Sequence, residues 1–446
     1  MSIRKVLVAN RGEIACRIMR TCRERGVKTV AVFSDADRDL PFVKMADEAV
    51  PIGPPPVAQS YLKVEAILQA AEKTEADSIH PGYGFLSENA SFAEQVLKAG
   101  LTWIGPKPFT IAQMGDKVTA RQTMIEAGVP VVPGSGALSS AEEAVRLARE
   151  WGYPVMIKAS AGGGGIGMHV CRGEEELRSV FSSVKQKAQA YFGDGKLFLE
   201  KWLPRARHVE VQIAADAFGN ILHLYERECS VQRRNQKVIE ESRSPSIREE
   251  TRQKLYDAAI RAAKAVNYLG LGTVEFILDE SEQFYFLEMN TRLQVEHPVT
   301  EAITGFDLVA WQLDVAEGKP FKLKQEEIPL QGHAIEFRLY AEDPVRFYPS
   351  PGKLNAFQFP AGDGIRVDAG VEEGNTVSPF YDPMIAKCIV SGCNRMEVLQ
   401  RSRFTLERFR VEGIRTNLPL LLRILEHPDF VRGHYHTGLI ADLKNE

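Results

Sequence analysis

The chain has 446 residues, more than one ordinary hydrophobic core accommodates, so we expect two or three domains. With 44% hydrophobic residues, 26% charged residues and a net charge of -4, it lacks the strongly basic domain that is typical of nucleic-acid binding. Six cysteines without a C-x-x-C pair argue against a disulfide framework and a zinc ribbon. The sequence shows no signal-peptide pattern and no apolar stretch of membrane-spanning length, so a cytoplasmic protein without membrane contact is predicted.

Residues 1–114 alternate short β-branched runs with helical patterns. The run KVLVAN (5–10) predicts a buried strand, and EIACRIMRTCRERG (13–26) predicts the helix after it. Further strands are predicted at KTVAVFS (28–34), DSIHPG (77–82) and LTWIG (101–105). Such alternation indicates a parallel sheet covered by helices on both faces, with ligands at the carboxyl ends of its strands. We therefore predict an α/β domain for this part of the chain.

A passage rich in Pro, Gly and Ser, VPVVPGSGALSS (129–140), indicates a hinge. It is followed by a helix, a strand, a glycine turn, a second strand, a second helix and a third strand. A unit of this kind, tethered at both ends, is typical of a mobile lid. We predict the lid at about 132–203, inside a domain that spans 115–330.

The glycine turn lies in SAGGGGIGMHV (160–170). Consecutive glycines let backbone N–H groups approach phosphate oxygens closely, whereas a flexible hairpin, the alternative, would lose much backbone entropy on ordering. The Walker A pattern is absent. Lys117 and Lys158 are candidate phosphate cations, although a lone lysine is usually a solvated surface charge. The strand FLEKWL (198–203) could offer its backbone groups to an adenine edge.

The strongest signal is a predicted hairpin of GTVEFIL (272–278) and QFYFLEMN (283–290). Cross-strand neighbours lie about 5 Å apart, so Glu275 and Glu288 are expected to meet. We expect Phe284 and Phe286 to share the face of Glu288, which argues against two acids on a solvated face. Two carboxylates on an apolar face repel unless a cation lies between them, and Mg²⁺ prefers such oxygen ligands.

Polar residues then continue at every second position. In an extended chain they point the same way. They are Glu288, Asn290, Arg292, Gln294 and Glu296. Their chemistry suits metal ligands, then an arginine clamp for a planar anion, then a carboxylate base.

Three further segments are candidates for a site. HPGYGFLSEN (80–89) suits the rim of a substrate pocket. QRRNQKVIEE (232–241) carries Lys237 among several cations, and either holds an anion or is a solvated basic turn. Arg338 alternates with Glu336 on a predicted strand, where a structural salt bridge is the alternative.

Taken together, these segments resemble biotin carboxylase, an ATP-grasp enzyme, in order and along essentially the whole chain. The resemblance is carried by ANRGEIA, HPGYGFLSEN, MGDK, KASAGGGGIGM, EKWL, RHVEVQ, QRRNQK, GTVEF and EMNTRLQVEHPVTE. It implies an α/β and α+β protein, in which an ATP-grasp fold follows a parallel-sheet N-terminal domain. It also implies the mobile lid and a C-terminal mixed-sheet domain at 331–446.

The resemblance implies roles for the residues at matching positions. ATP would be bound by Lys117, Lys158, Gly163, Gly164, Gly165, Met168, Glu200, Lys201, Leu203, His208 and Gln232. Magnesium or manganese would be held by Glu275, Glu288 and Asn290. Bicarbonate would be bound by Arg292, Gln294 and the backbone of Val295, and biotin by Tyr83 and Arg338. The catalytic residues would be Glu296 as base, Arg292, Lys237 beside the transferred phosphate, and Arg338 beside the biotin enolate.

In that family, bicarbonate attacks the γ-phosphate of ATP and gives carboxyphosphate, which collapses to CO₂ and phosphate. Phosphate takes the N1 proton of biotin, and N1 captures CO₂. The sequence has no A-M-K-M biotin-attachment motif, so we expect a separate biotin carboxyl carrier protein and carboxyltransferase subunits as partners. An acyl-CoA carboxylase is implied, such as the acetyl-CoA carboxylase of fatty acid biosynthesis. The acceptor stays open among acetyl-CoA, propionyl-CoA, another acyl-CoA and a non-CoA acid.

The chain departs from the family pattern at three positions. Asn235 stands where histidine is common, and Ile166 replaces an arginine found in many glycine turns. Asp363 lies where some dimeric relatives carry phenylalanine, but a homodimer is still expected from Arg20, Glu24 and Arg366. Two other functions therefore stay open: another ATP-grasp ligase, and a catalytically weakened ATP-binding assembly subunit.

Overall fold

The computed structural model describes residues 2–161 and 167–443. The N-terminal elements are β1 (Lys5–Val8), α1 (Gly12–Glu24), β2 (Lys28–Ser34), α2 (Pro41–Met45), β3 (Glu48–Gly53), α3 (Val64–Lys73), β4 (Ser78–His80), α4 (Ala90–Lys98) and β5 (Thr102–Trp103). The strands form one sheet in the order β3-β2-β1-β4-β5, and every neighbouring pair is parallel. The predicted parallel N-terminal sheet is confirmed.

The sequence did not predict strand β3. It lies at an edge of the sheet, pairs only with β2 among the described strands, and is largely exposed. It also contains Pro51, a residue that edge strands tolerate because one side of the strand donates no ladder hydrogen bonds. An exposed edge strand therefore lacks the continuous apolar run that identified its neighbours.

The next part of the chain contains two connecting helices and the lid. Its elements are α5 (Pro108–Gly115), α6 (Lys117–Glu126), α7 (Ala141–Trp151), β6 (Val155–Ala159), β7 (Met168–Cys171), α8 (Glu174–Phe192) and β8 (Leu197–Lys201). Strand β6 is central and runs antiparallel to β7 and β8. The lid has its own hydrophobic core, in which Ile157 and Leu199 of the sheet pack with Ala148 of α7 and Phe181 of α8. Gly163, Gly164, Gly165 and Ile166 lie outside the described residues.

The remaining elements build one large sheet with helices on it. They are β9 (Arg207–Ala215), β10 (Ile221–Arg233), β11 (Gln236–Ser242), α9 (Glu249–Ala265), β12 (Gly270–Leu278), β13 (Phe284–Asn290), α10 (His297–Thr304), α11 (Leu308–Ala316), β14 (His333–Tyr340), β15 (Gly352–Lys353), β16 (Ala356–Gln358), β17 (Ile365–Ala369), β18 (Thr376–Val377), β19 (Met384–Gly392), α12 (Arg395–Leu406), β20 (Arg410–Glu412), α13 (Leu418–Glu426), α14 (Pro428–Arg432) and α15 (Leu439–Asp442).

Eight of these strands form an antiparallel sheet in the order β13-β12-β9-β10-β11-β14-β19-β17. The sheet continues across the predicted boundary at residue 330, because Glu240 of β11 pairs with Glu336 of β14. One hydrophobic cluster also joins α1 and β1 to this sheet and to the C-terminal helices. The N-terminal domain, the large sheet and the C-terminal helices thus share one hydrophobic cluster, which does not include the lid.

No helix within residues 2–161 and 167–443 is long and apolar enough to cross a membrane. All six cysteines lie in this part of the chain and are unpaired, and only Cys393 is exposed.

Candidate active site

A cavity of about 690 Å³ lies between the N-terminal sheet, the lid and the large sheet. Its lining includes Tyr83, Lys117, Lys158, Met168, Glu200, Lys201, Leu203, His208, Gln232, Lys237, Glu275, Glu288, Asn290, Arg292, Gln294, Val295 and Arg338. Glu296 lies directly behind this lining, where it bonds to Lys237 and Arg338. The structure therefore brings together every predicted site residue that it describes.

Lys237 forms the centre of the site. Its ammonium donates to Glu210 at 2.5 Å, to Glu275 at 2.8 Å and to Glu296 at 2.7 Å. The three carboxylates come from β9, β12 and the end of the loop after β13, so this one cation ties three segments together. Burial would lower the pKa of Lys237, but the three carboxylates outweigh it and raise the pKa well above its ordinary value. The ammonium therefore stays charged.

The predicted base Glu296 is buried and lies between two cations. One carboxylate oxygen accepts from Lys237 and the other accepts from Arg338 at 2.9 Å. Burial alone would raise the pKa of Glu296, but Lys237, Arg338 and Arg227 together hold it well below the ordinary value. The group is thus an ionised carboxylate in the functional pH range.

Glu275 and Glu288 are direct partners in the register of β12 and β13, so their predicted pairing is confirmed. The expectation that Phe284 and Phe286 share the face of Glu288 is wrong. The register shifts by one residue at Leu287, a β-bulge, so that Phe286 pairs with Phe276 and both phenylalanines of β13 pack in the core. Glu288 instead faces the cavity, together with Glu275.

The segment from Glu288 to Glu296 is not one extended strand. Strand β13 ends at Asn290, α10 begins at His297, and 291–296 form an irregular loop. The polar residues still converge on the cavity, but the loop brings them there and the predicted alternation does not. This local geometry lets the consecutive residues Gln294 and Val295 both line the cavity.

Arg292 is held in place by three neighbouring side chains. It donates to Glu88 at 2.8 Å, to Asn290 at 2.8 Å and to Gln294 at 2.9 Å. Burial would lower the pKa of Arg292, but Glu88 and other carboxylates raise it. Such a fixed guanidinium is suited to a planar oxyanion.

Glu275 accepts three hydrogen bonds on one oxygen. The donors are Lys237, Asn290 at 2.8 Å and Gln294 at 2.7 Å. The other oxygen lies 2.7 Å from Nε2 of His208. Burial raises the pKa of Glu275, but Lys237 and His208 outweigh this and lower it well below its ordinary value. A permanently ionised carboxylate is the form that a metal ion needs.

On the lid side, the predicted ATP-binding residues form fewer contacts. Lys158 donates to Glu200 at 2.5 Å, and Lys117 lies 3.8 Å from Glu288. The side chain of Lys201 points away from the cavity, because its ammonium donates to the Trp151 carbonyl at 2.7 Å. Lys201 therefore contributes backbone rather than charge to the lining.

His208 and Gln232 form a second pair at the cavity wall. Nε2 of Gln232 lies 2.7 Å from Nδ1 of His208. Close by, Asn235 lines the cavity in the two-residue turn between β10 and β11, where both Arg234 and Asn235 have positive φ angles of 51° and 63°. Asparagine tolerates this left-handed backbone, so the residue that departs from the family pattern suits its turn.

The residues present fit a divalent metal ion at Glu275 and Glu288. The two carboxylates occupy paired positions and face the cavity next to the amide of Asn290. Together they form a set of oxygen donors that Mg²⁺ completes with phosphate oxygens. Among the residues that the structure describes, two other clusters have ligand atoms close enough for a metal. They are His208, Glu210 and Glu275, and Glu210, Cys229 and Glu296. The Lys237 ammonium already bonds to the acids of both clusters.

The structure adds residues that sequence reasoning did not single out. Glu88 orients Arg292, Glu210 pairs with Lys237 and Arg227, and Glu240 accepts from Arg338 at 2.5 Å. Glu88 and Glu210 lie in the segments HPGYGFLSEN and RHVEVQ, which carry the resemblance. Glu240 is the second-last residue of the segment QRRNQKVIEE (232–241), and its place in this segment was the only signal.

Three family models match the chain. "Biotin carboxylase, N-terminal domain" matches residues 2–111, "Carbamoyl-phosphate synthase L chain, ATP binding domain" matches 116–324, and "Biotin carboxylase C-terminal domain" matches 336–442. Together they account for almost the whole chain, in the order that the resemblance implied.

Individual proteins agree with the family models. A biotin carboxylase of Halalkalibacterium halodurans is 56% identical over 98% of this chain and 97% of its own length. The biotin carboxylase–βγ-ATP complex of Campylobacter jejuni has 46% identity, a TM-score of 0.97 and 99% coverage of both chains. The biotin carboxylase domain dimer of Hydrogenobacter thermophilus 2-oxoglutarate carboxylase, in complex with MgADP, ADP and bicarbonate, has 45% identity and a TM-score of 0.96, and covers 100% of this chain and 98% of that one. The chain belongs to the biotin carboxylase family of ATP-grasp ligases, which carboxylate biotin in an ATP-dependent reaction.

Proposed function

We propose that the chain catalyses the first half-reaction of an acyl-CoA carboxylase, in which biotin on a separate carrier protein is carboxylated from bicarbonate through carboxyphosphate. The position of Glu296 carries this proposal. It is an ionised carboxylate between Lys237 and Arg338, beside the anion clamp of Arg292. The relative that was solved with MgADP and bicarbonate is 45% identical to this chain, which supports the same ligands here.

The first step joins bicarbonate to phosphate. Arg292, Gln294 and the Val295 N–H hold the anion while Glu296 accepts its proton. The freed oxygen attacks the γ-phosphorus of ATP, the bond to ADP breaks, and carboxyphosphate forms. When Lys237 pairs with the phosphate, its hold on Glu296 weakens, so the pKa of Glu296 rises and the base becomes stronger at the moment of transfer.

Charge on the phosphates is balanced from two sides. Lys237 acts from the large sheet, and Lys117 and Lys158 act from the lid side of the cavity. A magnesium or manganese ion at Glu275, Glu288 and Asn290 would supply further positive charge between the phosphate oxygens. The lid excludes water from the intermediate when it closes over the nucleotide.

The second step takes place at the C-terminal side of the cavity. Carboxyphosphate collapses to CO₂ and phosphate, phosphate takes the N1 proton of biotin, and N1 forms the new bond to carbon. Arg338 lies beside Glu296 and stabilises the enolate oxygen that biotin develops. Tyr83 lines the same cavity and contacts the biotin rings.

The partners are a biotin carboxyl carrier protein and a carboxyltransferase that passes the carboxyl group to an acyl-CoA. A relative named biotin carboxylase, 56% identical to this chain, supports the biotin-carboxylating part of this proposal. A biotinylated carrier should be carboxylated with a higher kcat/KM than free biotin. A co-purifying carboxyltransferase that uses a non-CoA acid would contradict the acyl-CoA part.

A homodimer is proposed for the same protein. Arg20, Glu24 and Arg366 line a second cavity of about 480 Å³ away from the active site. Arg20 and Arg366 both pair with Asp368 within the chain, and Asp363 is exposed. The relative solved as a dimer supports the assembly. Light scattering at micromolar concentration tests it, and a monomer there would contradict it.

The central experiment uses the purified chain with ATP, Mg²⁺, ¹³C-bicarbonate and free biotin. We expect phosphate release that needs bicarbonate, rises with biotin and yields ¹³C-carboxybiotin. Phosphate release that biotin does not stimulate would contradict the proposal and favour another ATP-grasp ligase. ATP binding without turnover would favour an ATP-binding assembly subunit.

A further inference from the structure

The loop 291–296 carries the anion contacts, yet it has no ladder of strand or helix hydrogen bonds of its own. Two successive carbonyl groups of this loop are instead held by buried side chains. The Gln294 carbonyl lies 2.8 Å from Nδ1 of His297, and the Val295 carbonyl accepts from the Lys387 ammonium at 2.6 Å. Both side chains are fully buried. The direction of two peptide groups at the site therefore depends on them.

His297 acts on the peptide that contains the Val295 N–H. The Gln294 carbonyl is only an acceptor, so Nδ1 of His297 must carry the proton and donate it. Burial, with Lys387 and Arg17 nearby, lowers the pKa of His297 well below its ordinary value, so the ring stays neutral. In a trans peptide the C=O and N–H point in opposite directions. A carbonyl held against the buried ring therefore aims the Val295 N–H into the cavity.

Lys387 acts on the next peptide, which joins Val295 to Glu296. It lies on β19 directly opposite Arg338 of β14, and its ammonium is also 3.3 Å from Glu13 of α1. Glu13 in turn accepts a hydrogen bond from Tyr83. A buried ammonium is costly unless it is paired, and Glu13 is the acidic group that contacts it. Lys387 thereby fixes the peptide from which the base Glu296 projects. It links this peptide to α1 of the N-terminal domain and to β19 of the C-terminal domain.

We propose that His297 and Lys387 are positioning residues for the bicarbonate subsite: His297 aims the Val295 N–H at the anion, and Lys387 sets the backbone that carries Glu296. Neither touches the cavity in the described structure, and the proposal rests on the proposed function. Their loss acts on bicarbonate binding and proton transfer, and leaves the lid side of the nucleotide site unchanged.

The test at His297 compares two substitutions. His297→Leu removes the donor and keeps an apolar side chain, whereas the amide of His297→Asn can still donate to the Gln294 carbonyl. We expect the KM for bicarbonate to rise about 10-fold or more in His297→Leu, because the anion loses its charge-assisted hydrogen bond from the Val295 N–H. The KM for ATP should stay within twofold of wild type. His297→Asn should recover most of the loss. Equal defects in both variants would overturn the role of His297.

At Lys387, the single substitution Lys387→Met leaves Glu13 buried without its cation, which destabilises the folded state. The double variant Lys387→Met with Glu13→Gln removes both charges and keeps an acceptor for Tyr83. We expect it to fold, to have a kcat about 10-fold lower and to show a shifted pH profile for kcat, since Glu296 is no longer fixed. Glu13→Gln alone leaves the Lys387 ammonium without its acidic partner and should lower the melting temperature, but it retains the Lys387–Val295 bond and should lose less kcat than the double variant. Equal kcat defects in the two variants would overturn the role of Lys387.

A matched control separates positioning from general loss of stability. His333 is a buried histidine of β14 that pairs with Glu241 and makes no contact with the loop. His333→Leu should lower the melting temperature without changing the KM for bicarbonate. A similar rise in KM there would overturn the proposal. If ATP hydrolysis by the wild-type enzyme did not depend on bicarbonate, the proposed function itself would be overturned. If the wild type were active but the His297 and His333 variants had the same KM for bicarbonate, only this inference would be overturned.

Discussion

Strand β11 carries a buried ionic cluster near each end, and the two differ in what surrounds them. Near one end, Lys237 bonds to Glu210, Glu275 and Glu296 at the cavity wall. Towards the other, Glu241 accepts from His333 at 2.6 Å, Arg395 at 2.7 Å and Tyr435 at 2.5 Å. The C-terminal helices close over this second cluster, because Arg395 also donates to carbonyls of α14.

Both clusters are buried, and both shift pKa values strongly. A strong shift is therefore no sufficient mark of a catalytic group. The difference is access: the first cluster gathers three acids around one cation beside an open cavity, whereas every charge of the second is matched inside closed packing. Substitutions in the first should change the reaction, and substitutions in the second should change stability alone.

The largest effect is expected from Glu296→Ala. Loss of the base should lower kcat by about 10²- to 10⁴-fold. The fold should survive, because Lys237 keeps Glu210 and Glu275, and Arg338 keeps Glu240. Turnover and ATP binding, measured by calorimetry, check this, with ATP affinity unchanged.

The control is Glu228→Gln. Glu228 is another buried carboxylate of the same sheet, but it accepts from Ser230 and Ser244 and does not line the cavity. Its turnover should match wild type. If it lost as much activity as Glu296→Ala, burial rather than access would explain both results.

Lys237→Met should follow, with kcat reduced about 10²-fold because the transferred phosphate loses a cation. It also leaves three carboxylates without their shared partner, which costs about 3–5 kcal/mol of unfolding free energy. Mg²⁺ should restore part of the lost unfolding free energy, since the ion can take the place of the Lys237 ammonium among the three carboxylates. Melting temperatures with and without Mg²⁺ check the point, and an equal Mg²⁺ response in wild type and variant would contradict it.

Arg395→Met tests the closed cluster. It should lower the unfolding free energy by about 2–3 kcal/mol, less than an isolated buried pair, since His333 and Tyr435 still contact Glu241. The kcat and both KM values of the folded enzyme should stay at wild-type levels. Denaturant titration and kinetics check both halves, and a changed KM would show that the two clusters are coupled.

The last prediction concerns the pH dependence of the same pair. Burial raises the pKa of Glu241, but His333 and Arg395 outweigh it and lower the pKa to about 2. A depressed carboxyl stabilises the folded state above its ordinary pKa of 4.5, and this contribution of up to about 3 kcal/mol is lost as the pH falls from 4.5 towards 2. The stability gap between wild type and Arg395→Met should therefore narrow over that interval, and a constant gap would contradict it.

Local patterns predicted much of the fold and of the site. Apolar periodicity located most strands and helices. The predicted hairpin of β12 and β13 implied the pairing of Glu275 with Glu288, which the register confirms. The edge strand β3 and the bulge at Leu287 were not predicted. An exposed strand has no apolar run, and a bulge depends on how two strands fit against their neighbours rather than on either strand alone.

The sequence by itself determined which chemical groups the site contains: the acids, amides and cations of 288–296 and of 232–241 are read from their order. Only the tertiary structure decided where they point. Glu88, Glu210 and Glu240 come from other parts of the chain, and their pairing with Arg292, Lys237 and Arg338 needs contacts between residues far apart in sequence. A carboxylate becomes a base or a structural anchor through its neighbours and its access to a cavity, and both arise only when the chain is packed.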